Sequence, residues 1–158
     1  IEESGEVPRT QLVQFLKEVL DHEGGEMVTS SYARAVLNEL TAGETVGLAK
    51  DWTPDGLRSR VWWYSGLMEQ LAAAHVALGF AERSPHLVER GMTFCSVEED
   101  TGSRVCHAVC LILLGKTDSA FGLLSDANIQ PWDRASFMWA AHGAEVNGTN
   151  KVGEAISG

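Results

Sequence analysis

Hydrophobic positions along this chain recur at helical spacing almost throughout, and no segment shows the clean period of two that marks a half-buried strand. Val13, Leu16 and Leu20, with Leu12 and Val19 beside them, line one face of a helix expected over residues 8–21. "HEGGE" interrupts it. Ala33, Val36, Leu37 and Leu40 then define an inward face over residues 31–40, with Thr29 or Ser30 as the cap.

Start signals divide the rest. "TAGE" has capping-box form: Thr41 accepts from the third amide while Glu44 reaches back, so a short helix begins there and ends near Trp52. "TPDG" and "SPHL" use one device twice. Thr53 and Ser84 cap, and Pro54 and Pro85 take the first helical position, where a missing N–H costs nothing. The first of these opens the longest expected helix, residues 54–81, and the second opens a helix reaching Cys95. "VEEDTGS" is a polar connector. "RVCHAVCLILLG" is a helix closed by Gly115, "KTDSAFGLL" a short one, and "PWDRASFMWAAHG" another, started by Pro131 and closed by Gly143.

The expected fold is therefore all-α, about eight short-to-medium helices in antiparallel hairpins. "LILLGKTDSAFGLL" has the grammar of a tetratricopeptide unit, although the 34-residue consensus does not recur, so the architecture is a tetratricopeptide-like bundle or short solenoid. One helical domain is expected over residues 1–144, followed by a Gly-rich polar tail over 145–158.

"RVWWY", Arg60 to Tyr64, falls inside the longest expected helix. At about 100° per residue, Val61, Tyr64, Leu67, Met68, Leu71, His75 and Leu78 share one stripe. Trp63 lies on the margin of that stripe and reads as core. Trp62 falls on the opposite side, in line with Ala73, Val76 and Phe80. It either packs under a second layer, the preferred reading, or edges a groove as an aromatic anchor for a partner. With Phe80 on its side and Arg58 and Arg83 towards the helix ends, Trp62 completes the candidate partner-binding set.

Composition narrows the function. Of 158 residues, 44% are hydrophobic and 22% charged, which places the chain among ordinary globular domains. The net charge of -10 argues against a nucleic-acid face and suits a partner with basic residues. The longest apolar run is far short of the roughly 20 residues of a membrane span. The acidic start "IEESGEVP" lacks the basic and apolar regions of a signal peptide, and the chain reads as a piece of a longer protein.

Catalytic signatures are missing from the sequence: no nucleophile motif, phosphate-binding loop, dinucleotide fingerprint or histidine–glutamate metal helix. No cofactor is expected. His75 lies on an apolar face and reads as a hydrogen-bonded core residue; His22, His86 and His142 lie near helix ends. Glu98, Glu99 and Asp100 read as a solvated connector. Cys106 and Cys110 stand one helical turn apart around His107, but the second ligand pair of a zinc site is missing. With Cys95 they read as buried thiols of a reducing compartment, where the sequon at Asn147 carries no meaning.

Three segments together resemble a known family. "AVLNELTAGETVGL", "AHVALGFAERSPHLVERG" and "CHAVCLILLGKTDSAFGLL", in this order and spacing, look like the stromal helical region of plastid-division proteins of the accumulation-and-replication-of-chloroplasts family and its paralogues. That family is related to the cyanobacterial Ftn cell-division protein. The resemblance runs from about Tyr32 to Leu124. It implies a non-catalytic scaffold, exposed to the stroma from an inner-envelope protein, that grips the C-terminal tail of the tubulin-like division GTPase FtsZ. In a cyanobacterial relative the same region would face the cytoplasm. The chain departs from the family in showing no J-like domain, span or intermembrane-space domain, and in a shorter connector between "VERGMTFC" and "VCHAVC". The competing expectation is a small-ligand or enzymatic domain with a pocket around His75 and Tyr64.

Overall fold

The computed structural model describes residues 8–22 and 28–126, and every regular element among them is an α-helix. In order these are α1 (Arg9–Asp21), α2 (Ser30–Asn38), α3 (Ala42–Leu48), α4 (Pro54–Arg58), α5 (Leu67–Ala81), α6 (Pro85–Cys95), α7 (Thr101–Leu113) and α8 (Thr117–Asp126). The described residues are all-α, as the hydrophobic periodicity implied. The helix expected over residues 131–143 and the tail over 145–158 lie outside the described residues.

Local start signals work as the sequence implies. Thr29, Thr41, Thr53 and Ser84 each accept a hydrogen bond from the amide three residues on, filling one of the orphan donors at a helix start. The Thr41–Glu44 capping box is complete, and Pro54 and Pro85 open their helices. Asp100 is an additional cap: its carboxylate accepts from the Ser103 amide at 3.0 Å, so α7 begins at Thr101 within the segment read as connector.

The expected 54–81 helix is two helices. α4 stops at Arg58 and α5 starts at Leu67, with Gly66 at φ 94° between them. Residues 59–66 are turns and irregular backbone. Two physical reasons explain the break. Aromatic and β-branched residues in "VWWY" are mediocre helix formers, and the side chains of Arg60 and Trp62 find backbone acceptors at the end of α1. The inferred stripe holds within α5, where Leu67, Met68, Leu71 and His75 are buried, but does not extend back through residues 59–66, and Val61 is 62% exposed.

The helices group into two compact units divided between Ser65 and Gly66. In the first, α1 packs against α3 and buries Leu16 and Leu20, while α2 buries Ala33 and Leu37. In the second, α5 packs along α6, α7 lies against both, and α8 folds back on α7. α5 buries Leu67, Met68, Leu71, Ala72, His75, Val76 and Gly79 at helical spacing. Val105, Ala108, Leu111, Ala120 and Leu124 form the α7–α8 core, with Met92 of α6 packed against it.

Two glycines set how closely α5 and α6 approach. A Cβ on Gly91 would sit 3.1 Å from the Ala72 carbonyl oxygen, and one on Gly79 would sit 2.9 Å from Val88 Cγ2. α7 ends in a Schellman motif. Gly115, at φ 81°, donates to the Ile112 carbonyl and Lys116 donates to the Leu111 carbonyl at 2.7 Å.

Candidate functional site

"RVWWY" closes the C-terminal end of α1. The last carbonyls of a helix have no partner within it and need one outside. Trp62 Nε1–H donates to the Leu20 carbonyl at 2.9 Å, and Arg60 Nη1 donates to the Asp21 carbonyl at 2.8 Å. Arg60 also sets its charge where the helix dipole is negative. Trp52 Nε1–H donates to the Asp21 carboxylate at 2.6 Å, and its ring tilts against Trp62 with centroids 5.5 Å apart.

Trp62 is 2% exposed. The reading of Trp62 as an anchor at a groove edge is therefore corrected: its ring is packed and its single polar atom already donates. Trp63, read as core margin, is half-buried, and its carbonyl accepts from the Ser30 hydroxyl at 2.8 Å. Trp62 is thus packed, the reading preferred from the sequence, but it is packed from a non-helical segment rather than from the face of a long helix.

Tyr64 is buried in the same unit, and burial pushes its hydroxyl up to about 12, against the pull of the Arg34 guanidinium 6.0 Å from its ring centroid. Arg58 is exposed at the end of α4.

His75 is closed off. At 1% exposure it donates from Nδ1 to the Leu71 carbonyl at 2.7 Å, and its ring lies 5.3 Å from that of Phe94. The Arg90 guanidinium covers Phe94 at 4.8 Å from its centroid. Burial, with the Arg90 charge adding to it, lowers the His75 pKa below the usual histidine value, and the Leu71 carbonyl opposes that shift. The imidazole is a neutral core group packed among its neighbours.

Phe80 and Arg83 come together where α5 turns into α6. Arg83 occupies the left-handed region at φ 54° as the residue after the α5 cap, a place glycine usually takes. Its amide donates to the Phe80 carbonyl and the Ser84 amide donates to the Gly79 carbonyl at 2.8 Å, the two bonds of a Schellman motif. Beside this turn lies an open pocket of about 480 Å³, lined by Gly79, Phe80, Ala81, Arg83, Ser84, Pro85, Val88 and Leu113. Its walls join an apolar floor to one guanidinium on a bent rim. The sequence signal for the pocket was present in "GFAERSP", a helix end running directly into a capped start, but the left-handed Arg83 was not legible.

All three cysteines are buried, as expected. Cys95 joins the Cys106–Cys110 pair, and these three are the described residues whose donor atoms converge at metal-binding spacing. The contact with Cys106, and after it that with Cys95, draws the Cys110 pKa down, while contacts with Cys110 and Cys95 push that of Cys106 up.

No family model, curated protein or solved structure matches this chain.

Proposed function

We propose that this chain is a non-catalytic, tetratricopeptide-like interaction module that captures a short peptide in the pocket at the α5–α6 junction. What supports the reading above all is that Phe80 and Arg83, two candidate partner-binding residues, line one open pocket. An apolar wall beside a single guanidinium suits a peptide that carries a hydrophobic side chain next to a carboxylate. The half-buried Phe80 and the exposed Leu113 supply the wall.

The family resemblance supplies the partner: the C-terminal tail of FtsZ, tethered by a stromal region of an inner-envelope division protein. Hairpins α5–α6 and α7–α8 are the repeat-like units that present the pocket. Titrating a labelled FtsZ tail peptide into the chain, and into its Phe80→Ala variant, tests this reading. Saturable binding weakened by Phe80→Ala is expected. Absence of saturation at high micromolar peptide overturns the partner, and equal binding by the variant overturns the pocket.

A further inference from the structure

Cys106 and Cys110 stand one turn apart on α7, and the fold brings to them Cys95, the last residue of α6. Their sulfurs lie within 4.8 Å of one another. Three thiolates sharing one ion at about 2.3 Å stand about 4 Å apart, so an inward movement of about half an ångström per sulfur closes the triangle. Side-chain rotation supplies a movement of that size without displacing either helix.

The donor set and its surroundings select the ion. Thiolates favour soft metals: Cu(I), zinc or an iron–sulfur cluster. Structural zinc closes with four ligands, and zinc with three protein ligands keeps a water in the fourth position. An iron–sulfur cluster takes four ligands of its own. Here the converging donors among the described residues are three sulfurs, each 0% exposed, which leaves no seat for a water. A monovalent d10 ion is satisfied by two or three sulfurs and needs no further ligand.

We propose that Cys95, Cys106 and Cys110 form a closed three-sulfur site for one Cu(I) ion, joining the end of α6 to the middle of α7. Binding exchanges protons for the ion: two of the three sulfurs lose their S–H protons to solvent and bind as thiolates, the third binds as a thiol, copper stays in the +1 state and no electron moves. Release of two protons rather than three keeps the buried charge to a single negative one, which matters because negative charge on Cys95 is felt by the Glu69 carboxyl of α5. Cys95 gives up its weak contact to the Met92 carbonyl, at 3.7 Å.

Such an ion clamps α6 onto α7, so the folded second unit gains stability in proportion to copper occupancy. The test uses the whole 158-residue chain, reduced and anaerobic, titrated with Cu(I) against a chromophoric Cu(I) chelator. One equivalent retained per chain, a raised melting temperature and a sulfur-only shell in X-ray absorption are expected. Cys95→Ala and Cys106→Ala should each weaken retention by more than about 100-fold, the upper range for lost second-shell support of a metal site. His107→Gln should leave it unchanged.

Complete surrender of copper by the wild-type chain overturns the proposal. So does a nitrogen-bearing shell, preferential retention of zinc, or retention by folded cysteine variants equal to wild type, which would place copper on the exposed histidines. Stoichiometry and X-ray absorption on the wild-type chain decide the matter even if a cysteine variant fails to fold.

Discussion

The indole N–H of Trp62 caps the carbonyl of Leu20, 42 residues earlier in the chain, at 2.9 Å. With Arg60 on the Asp21 carbonyl, it completes the end of α1 with donors from a non-helical segment. Trp62→Ala should therefore destabilise the first unit by about 3–5 kcal/mol, as for other buried aromatics. Trp62→Phe keeps most of the packing but orphans a buried carbonyl, for a loss of about 1–3 kcal/mol. Urea denaturation of the variants checks both values. A change below about 0.5 kcal/mol for Trp62→Ala would contradict the seat described for it.

Arg83 carries backbone strain at the rim of the candidate pocket. An L-residue in the left-handed region costs about 1–2 kcal/mol, and glycine removes that cost while adding about 0.4–1 kcal/mol of unfolded-state entropy. Arg83→Gly should raise stability by about 0.5–1 kcal/mol while removing the guanidinium. If the guanidinium binds a peptide carboxylate, affinity falls as the melting temperature rises. Those opposite movements separate a binding role from a structural one.

Glycine-to-alanine changes should act in opposite directions at two helical sites. Nothing stands within 4 Å of a Cβ built on Gly47 in α3, so Gly47→Ala should stabilise by up to about 1 kcal/mol through helix propensity. At Gly91 the same gain is set against contacts of 3.1 Å to backbone and to the His75 Cβ. Overpacking of that kind costs about 1–3 kcal/mol, so Gly91→Ala should be net destabilising. Thermal melts of the two variants compare directly.

The pH dependence of the second unit should carry a signature of His75. Its folded pKa is lowered, mainly by burial. Below the unfolded value of about 6.5 the unfolded chain takes a proton that the folded chain refuses. Stability is therefore present above that value and is lost as pH falls through the folded pKa. His75→Phe should lose less stability than wild type between about pH 7.5 and pH 5.5, and equal losses would show that His75 titrates freely.

Much of the fold was legible because its signals are local. Threonine, serine and proline at helix starts act on amides three residues away, so Thr41, Thr53 and Ser84 could be read without any neighbour in space. The all-α character followed from periodicity in the same way. Where the reading failed, a distant partner had intervened. "VWWY" looked helical by spacing, but two carbonyls at the end of α1 gave its segment a competing set of hydrogen bonds.

The sequence by itself determined the helical class and where several of the helices begin, because capping and amphipathic spacing are decided within a few residues. Tertiary structure decided which tryptophan is core, which non-glycine residue turns left-handed, and that Cys95 meets Cys106 and Cys110 across two helices. Each of those depends on groups from separate elements sharing one small volume, and spacing along the chain does not encode that distance.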